Sequence, residues 1–234
     1  MTKDNYSDVV VHKPWGSEYL MFENSDVALW HLRIKAGQKT SLHCHPRKKT
    51  ALVLVTGSAT ISFLNNKTLL RAPANTMLRP GLFHSTSADQ GTDIDVIELE
   101  SPVDKANIVR LEDAYGRENQ PYESRKMSAP LDASCLRLPT HFPDGLSEFA
   151  FCGLNLVLFR FSDIRNQTSS WDEKDIVVVL EGGLRSEEGE PILVAGDAVS
   201  VATVNRLASA FTSPDGIAGM WIRRGTGRSA EGVR

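Results

Sequence analysis

Three histidines in the first half of the chain have the residue type and the spacing of a metal site. His43 and His45 are separated by one residue, and His84 closes the later sequence Pro-Gly-Leu-Phe-His. On an extended strand, residues i and i+2 point to the same face, so the two imidazoles of the pair face one way. A third imidazole from a distant strand completes a three-nitrogen ligand set. The sequence therefore predicts one divalent transition metal held by these three histidines.

The segments that must position the histidines are short and rich in β-formers. From Val27 to Glu100 the chain alternates apolar runs with turn sequences such as Lys-Ala-Gly-Gln. Many short strands without a convincing amphipathic helix between them favour an antiparallel barrel or sandwich. We predict an N-terminal arm at residues 1–26 and a barrel with a C-terminal clasp at residues 27–120.

The second half of the chain repeats this pattern. After a predicted linker at residues 121–135, residues 136–226 carry apolar runs in the same order, and a polar tail at residues 227–234 is expected to be frayed. The residues that align with His43, His45, His84 and Thr50 are, in that order, Thr168, Ser170, Arg206 and Asp175. We therefore expect an all-β protein of two tandem jelly-roll (double-stranded β-helix) barrels. The second is degenerate, so any metal should be in the first.

Composition excludes several classes of partner. The 234 residues carry a formal net charge of −3 without a long run of Lys or Arg, which argues against nucleic acid and anionic membranes as partners. The three cysteines form no CxxC pair, which argues against a disulfide framework and a thiolate zinc site. The N-terminus lacks an apolar signal region, and no apolar run is long enough to span a membrane. These features predict a cytoplasmic protein.

Two further motifs frame the histidines. Lys13-Pro14-Trp15-Gly16 precedes the first predicted strands, and residues 108–117 read Ile-Val-Arg-Leu-Glu-Asp-Ala-Tyr-Gly-Arg. Over residues 11–120 the chain resembles the cupin domain of type II mannose-6-phosphate isomerases, a domain also found fused to mannose-1-phosphate guanylyltransferases. The resemblance implies a cupin barrel, a phosphorylated or nucleotide-linked sugar as substrate, and a role in polysaccharide biosynthesis.

The resemblance also identifies individual ligand positions. His45 and His84 match ligands of the family, whereas His43 stands where the family has Gln and Thr50 where it has Glu. Loss of the carboxylate leaves the metal centre more positive, with open positions for water or substrate oxygens. Imidazole ligands suit Zn, Fe, Ni, Cu and Mn, so the identity of the metal stays open.

An isomerase or epimerase needs a Lewis acid and a base that moves a proton on the carbon beside a carbonyl. With the glutamate replaced, the candidates for the base are Lys49, His31 and a metal-bound hydroxide. Cationic residues on or near the predicted barrel mouth are candidates for holding a phosphate. Besides Lys49, they are Arg33, Arg47, Lys48 and Arg79.

Three functional hypotheses remain. The first is a metal-dependent isomerase or epimerase of a phosphorylated or nucleotide-linked sugar, as the two motifs indicate. The second is a non-catalytic sugar-binding or regulatory protein, since Thr50 removes the expected carboxylate. The third is an Fe(II) dioxygenase, since the ligands are all histidines. Cupin barrels commonly pair through edge strands, so we also expect a homodimer.

Overall fold

The computed structural model describes residues 6–118, 127–142 and 145–225. Strands dominate these residues, in keeping with the predicted all-β class. Within the same ranges, one α-helix is present, and no helix is long and apolar enough to cross a membrane. The predicted tail at residues 227–234 and the first part of the predicted linker, residues 121–126, lie outside the described residues.

The first unit is a jelly roll of two antiparallel sheets. Its strands are β1 (Val9–Lys13), β2 (Gly16–Glu23), β3 (Ala28–Ile34), β4 (Leu42–Cys44), β5 (Lys49–Leu54), β6 (Ser58–Phe63), β7 (Lys67–Arg71), β8 (Ala74–Leu78), β9 (His84–Ala88), β10 (Ile94–Ser101), β11 (Val109–Glu112) and β12 (Ser128–Pro130). The larger sheet has the order β12-β1-β2-β3-β10-β5-β8, and the smaller has the order β11-β4-β9-β6-β7. The crossovers between the two sheets are those of a double-stranded β-helix.

The second unit is a single sheet with a helix. Its strands are β13 (Ser147–Phe151), β14 (Leu154–Phe161), β15 (Ile176–Arg185), β16 (Pro191–Val194), β17 (Ala198–Ser200) and β18 (Ile217–Arg224). The sheet has the order β13-β14-β18-β15-β16, and β17 pairs with β15. Helix α1 (Val201–Ala208) follows β17. This unit has one sheet where the first unit has two. It therefore departs further from a complete barrel than its apolar pattern predicted.

Two segments differ from the prediction. The expected N-terminal arm contributes β1 and β2 to the larger sheet, so it is part of the barrel. Arg206, expected on a strand at the position of His84, lies on α1 instead. Val201, Val204 and Ala208 are buried at helical spacing, and the Ser200 hydroxyl accepts a hydrogen bond from the Thr203 amide as an N-cap. The helical spacing of these apolar residues is present in the sequence. It was not recognised because the flanking segments alternate apolar and polar residues as strands do.

The larger sheet of the first unit is buried on both faces. On β10, Ile94 and Val96 point into the barrel lumen, whereas Ile97 and Leu99 point out of it. On β3, Trp30 faces the lumen and the residues on either side of it face out. This two-residue alternation follows from strand geometry. The central strands β2, β3, β10 and β5 therefore each supply one set of side chains to the lumen and another to the opposite face.

The outward face of the larger sheet packs against the sheet of the second unit. Leu29, Val53 and Leu99 from the first unit share one buried cluster with Val178 and Met220 from the second. Polar contacts border this junction: the Asn75 side chain donates to the Ala198 carbonyl at 2.7 Å, and the Asn24 side chain donates to the Leu180 carbonyl at 3.1 Å. The far face of the second sheet is covered by α1 and its neighbouring loops.

Truncation of a side chain in this junction should destabilise the whole chain. Leu99 is fully buried there, and Leu99→Ala should lower the free energy of unfolding by about 2–5 kcal/mol because it leaves a cavity. The matched control is Leu69→Ala on the edge strand β7, where the leucine is 55% exposed and the change should be within about 0.5 kcal/mol. Urea titrations followed by circular dichroism measure both. Equal stability of the two variants would contradict this packing.

Candidate metal centre and its cavity

The three histidines meet in the lumen of the first unit. His43 on β4 is the direct cross-strand partner of His84, the first residue of β9. His45 follows β4 directly, and it faces the lumen like His43 because it lies two residues further along. One ring nitrogen from each histidine lies within 4.8 Å of those from the other two, and all three residues are buried. The structure therefore brings together the three residues that the spacing selected.

Backbone carbonyls set the tautomer of all three rings. Nδ1 of His43 donates to the Ser41 carbonyl at 2.8 Å, Nδ1 of His45 to the Asn107 carbonyl at 2.7 Å, and Nδ1 of His84 to the Leu82 carbonyl at 3.0 Å. A carbonyl oxygen only accepts, so each Nδ1 carries the proton and each Nε2 keeps a free lone pair. A second hydrogen bond of this kind is the usual support of a metal-ligating histidine.

The electrostatics of the lumen keep the imidazoles neutral. Burial lowers the pKa of His45 to about 3, with a further contribution from the nearby Lys48 ammonium. Burial and the neighbouring imidazoles hold the pKa of His43 well below its usual value, and burial also lowers the pKa of His84. Metal binding requires the neutral form of histidine. Among the described residues, Nε2 of His45 is one of the few buried side-chain polar atoms without a hydrogen-bond partner. This lack of a partner is consistent with a role of the nitrogen as a metal ligand.

A carboxylate that the sequence analysis missed lies beside this group. Glu98 is on β10 and points into the lumen, with its Oε1 at 4.0 Å from Nε2 of His45. Burial raises the pKa of Glu98 to about 7, and the neighbouring Glu100 adds to this effect while Lys105 opposes it. The carboxylate oxygens of Glu98 do not lie within 4.8 Å of all three histidine nitrogens. Glu98 is therefore a neighbour of the ligand group and not a member of it.

The strand that carries Glu98 pairs with the strand that carries Thr50. Thr50 on β5 is paired with Glu100 on β10, and Glu98 lies opposite Leu52, one inward position further along. The available signal was the alternation Ile94, Val96, Glu98, Glu100, which places two acidic residues on the inward face of an otherwise apolar strand. The ligand motif did not indicate Glu98, because a neighbour on an adjacent strand is distant in sequence.

Below the histidines, buried lysines and glutamates form a continuous network. Lys48 bonds to Glu100, which also lies 3.7 Å from Lys105. Lys105 in turn pairs with Glu18 at 3.3 Å, and Glu18 lies 3.6 Å from Lys13. Buried charges are tolerated only when they are paired in this way. Lys48 and Lys105 also hold the pKa of Glu100 below its usual value, although its burial acts in the opposite direction.

The cavity above the histidines is lined by charged side chains of both signs. It encloses about 580 Å³ including its open mouth. Cationic side chains in its wall outnumber the carboxylates, which are Glu18 and Glu98. The cationic residues of the wall are Lys13, Lys48, Lys105, Arg110 and Arg117. Glu100 and Asp113, which lie behind the wall, pair with Lys48, Lys105 and Arg117 and so balance part of this cationic excess.

The two bases that the sequence suggested lie outside the lumen. His31 on β3 points out of the barrel, where its Nε2 hydrogen-bonds Oδ1 of Asp95 at 2.9 Å. Lys49 on β5 also points out, and its ammonium pairs with Asp197 of the second unit at 2.7 Å. On both strands, the residues directly before and after face the lumen. Strand alternation therefore turns the side chains of His31 and Lys49 away from the histidines. Neither is placed to act on a ligand in the cavity, and this corrects the expectation.

The predicted phosphate-binding residues are likewise dispersed. Arg33 pairs with Asp93 on the outer surface at 3.3 Å, Arg47 pairs with Asp104 at 3.2 Å, and Arg79 is exposed; none of the three lines the cavity. Lys48 is the exception, because its side chain is buried in the lumen against Glu100. The error came from treating proximity to the ligand strand as proximity to the cavity.

The two framing motifs supply cavity walls as well as structural contacts. Lys13 and Trp15 line the cavity, and Gly16 permits the close approach of β2 to β3, since a Cβ there would lie 1.9 Å from the Arg33 carbonyl oxygen. In the second motif, Arg110 lines the cavity from β11, while the Tyr115 hydroxyl donates to the Gln38 side chain at 2.8 Å. This segment therefore contacts the barrel through Tyr115 and adds Arg110 to the cavity wall.

An antiparallel jelly roll with a cluster of histidines in its lumen defines a cupin domain. The chain matches the family model described as "Mannose-6-phosphate isomerase C-terminal" over residues 2–113. This protein therefore contains a cupin domain that resembles the C-terminal domain of mannose-6-phosphate isomerases.

Similar curated proteins come from two pseudomonads. The chain is 26% identical over 113 residues to "Alginate biosynthesis protein AlgA" of Pseudomonas aeruginosa, which covers 47% of this chain and 24% of that protein. It is 27% identical over 115 residues to the protein of the same name in Pseudomonas putida, covering 48% of this chain and 24% of that protein. The chain thus spans about a quarter of the length of these relatives. The similarity indicates a cupin related to polysaccharide biosynthesis proteins.

Among solved structures, the chain is similar to KdgF from Halomonas sp. The superposition covers 39% of this chain and 84% of that chain, with 20% sequence identity and a TM-score of 0.37.

Loss of one imidazole should abolish metal binding in the lumen. We expect His45→Ala to reduce the number of tightly bound transition-metal ions by one per chain, because two nitrogens hold such an ion far more weakly than three. His12→Ala, which removes an exposed imidazole on β1, should leave the number unchanged. Elemental analysis of dialysed protein purified without a histidine tag measures both, with circular dichroism as the control for folding. Equal metal content in the two variants would rule out this centre.

Proposed function

We propose that this protein is a metal-dependent isomerase or epimerase that acts on a phosphorylated or nucleotide-linked sugar in polysaccharide biosynthesis. The observation that carries the proposal is the position of Glu98, a buried carboxylate 4.0 Å from Nε2 of His45 in a cavity with cationic walls. This arrangement combines a metal site, a base and an anion-binding wall in one lumen. These are the three parts that proton transfer beside a sugar carbonyl needs.

His43, His45 and His84 would hold the metal through their Nε2 atoms. Zn, Fe, Ni and Mn all accept such ligands. When bound, the ion supplies Lewis-acid polarisation of a carbonyl or hydroxyl oxygen of the sugar. The three backbone carbonyls that accept from the Nδ1 atoms keep the rings in orientation, so the ligand set is formed before the metal arrives.

Glu98 acts as the base that takes a proton from the carbon adjacent to the sugar carbonyl and returns it to the neighbouring carbon. Its carboxylate reaches the space next to the histidine nitrogens, where a sugar oxygen would sit. Burial raises the pKa of Glu98 to about 7, a value suited to both taking up and releasing a proton near neutral pH. Glu98 fills the role for which His31 and Lys49 are wrongly placed.

Arg110 binds the phosphate of the substrate. It lies on β11 beside His43 in the sheet register and contributes to the cavity wall. Arginine donates two parallel hydrogen bonds to phosphate oxygens, which fixes orientation as well as charge. Arg117 lines the same wall, and its guanidinium is held by two hydrogen bonds to Asp113 at 2.6 and 3.1 Å. Asp113 thereby orients the second guanidinium toward the ligand.

Similarity to the alginate biosynthesis proteins supports the polysaccharide setting. That similarity covers 47% of this chain and 24% of the relative's length. The reaction and substrate proposed here therefore rest on the cavity, and the relatives supply its biological context.

Glu98→Gln tests the base directly. The amide keeps the shape but cannot accept a proton, so turnover should fall by about 10²–10⁴-fold with metal content unchanged. The assay is proton NMR in D2O, which follows solvent deuterium incorporation at the carbon beside the carbonyl across a panel of sugar phosphates and nucleotide sugars. Glu23→Gln, at an exposed position at the end of β2, is the matched control and should keep full activity.

The same assay separates the proposal from its rival. If the metal-loaded wild type leaves every sugar unchanged but binds one of them, the protein is a sugar-binding module and not an enzyme. If Glu98→Gln turns over normally, another group is the base.

Arg110→Gln tests the anion-binding wall. Loss of a charge-assisted hydrogen bond costs about 1.5–3 kcal/mol, which corresponds to a rise in KM or Kd of about 10- to 150-fold. Arg79→Gln removes an exposed guanidinium away from the cavity and should change neither quantity more than about twofold. Isothermal titration with the substrate identified by NMR measures both variants. Equal affinities would show that the phosphate is held elsewhere.

A further inference from the structure

A second group of metal-ligating side chains lies outside the lumen, at the junction of the two units. His31, Asp95 and Cys152 each offer one ligand atom, and these atoms all lie within 4.8 Å of one another. His31 and Asp95 project from the outward face of the larger sheet, on β3 and β10. Cys152 comes from the second unit, in the turn between β13 and β14. Three different elements from both units thus converge on one point.

The histidine and the aspartate of this group are held in place by their surroundings. The His31 ring is packed between Tyr19 and Phe151, with ring centroids 5.0 and 5.1 Å away in edge-on geometry. Oδ1 of Asp95 lies 2.9 Å from Nε2 of His31, and its other oxygen accepts from the Thr56 hydroxyl at 2.9 Å. A nitrogen and an oxygen that bind one tetrahedral Zn²⁺ at bond lengths of about 2.0–2.2 Å lie about 3.3–3.5 Å apart. The pair therefore forms a hydrogen bond here, and a Zn²⁺ ion would take the place of its proton with a small widening of the distance. Thr56 supplies the outer hydrogen bond that orients a ligating carboxylate.

The turn that carries Cys152 has an unusual backbone for this residue. Phe151 and Leu154 close the hairpin, and the two residues between them, Cys152 and Gly153, have φ values of 49° and 80°. Two-residue hairpin turns with positive φ at both positions normally have Asn or Asp followed by Gly. A cysteine there is strained, and strained residues persist where the surroundings hold them for a purpose. The conformation aims the thiol at Asp95 and His31.

We propose that His31, Asp95 and Cys152 bind a Zn²⁺ ion that fastens the second unit to the first. Thiolate, imidazole and carboxylate are the ligand types that Zn²⁺ accepts. One thiolate and one carboxylate together balance its charge, so the half-buried site stays neutral overall. Cys152 is exposed, which leaves a solvent-facing fourth position for water and a path for the ion to enter. The ion would join β3, β10 and the β13–β14 turn at a single point.

This site is independent of the proposed activity in the lumen. The two ligand groups face opposite sides of the larger sheet, since His31 points outward and the lumen histidines point inward. Only the junction site includes a thiol: Cys44, although it lies between His43 and His45, alternates to the other face of β4. The junction site thus gives a spectroscopic signal that the lumen site cannot give.

Cobalt substitution tests the proposal. Metal-free full-length protein titrated with Co²⁺ should develop the near-ultraviolet sulfur-to-cobalt charge-transfer band of a thiolate ligand. The band should be lost in Cys152→Ser and retained in Cys135→Ser, which removes a partly exposed thiol outside the ligand group. Zn²⁺ should displace the cobalt and abolish the band. No band in the wild type, or a band that persists in Cys152→Ser, would overturn the proposal.

The reactivity of the Cys152 thiol gives a second readout, which does not require substitution of a proposed metal ligand. In Cys135→Ser the remaining thiols are the exposed Cys152 and the buried Cys44. Zn²⁺ should slow the reaction of Cys152 with a disulfide reagent by about tenfold or more, because the metal occupies the nucleophilic sulfur. An unchanged rate with Zn²⁺ present would also reject the site. Failure here leaves the Glu98→Gln result unaffected, so the two proposals fail separately.

Discussion

The larger sheet of the first unit is covered on both faces, and the rest of the structure depends on this arrangement. One face closes the barrel lumen, and the other forms the junction with the second unit. Because strand side chains alternate, neighbouring residues on β10 go to different environments. Glu98 faces the histidines in the lumen, whereas Ile97 and Leu99 pack in the junction. A one-residue shift in register would exchange the two sets and destroy both the cavity and the junction.

The lumen accommodates its charges by pairing them. Lys48, Glu100, Lys105 and Glu18 bond in sequence beneath the histidines, so that each buried ion has an opposite neighbour. Breaking such a network leaves an uncompensated charge, which makes its members interdependent. Burial keeps the imidazoles neutral by lowering the pKa of each, with a smaller contribution from Lys48 for His45, and burial also raises the pKa of Glu98 to about 7. The pairing of the buried ions and the protonation of the lumen residues therefore both follow from burial in one lumen.

The second unit has a structural role toward the first. Its sheet covers apolar residues of the barrel that would otherwise face water, including Leu29 and Val53. In the part of the chain that the structure describes, its residues contribute nothing to the cavity wall. Asp197 pairs with Lys49, and Cys152 approaches His31 and Asp95, so residues that the linear motif suggested for catalysis are engaged in holding the two units together.

The sequence by itself determined the all-β class, the cupin barrel and the grouping of His43, His45 and His84. Strand alternation places His43 and His45 on one face because it acts over a few residues of one strand. The barrel and the inclusion of His84 from a distant strand were predicted from the spacing of the ligand motif and from the resemblance to a known family. Only the tertiary structure decided that Glu98 lies beside the histidines, that Arg110 lines the cavity, and that His31 and Lys49 face away from it. These outcomes depend on which strands pair, in which register, and on which face each residue falls. Contacts of that kind join residues far apart in the chain, so no local pattern specifies them.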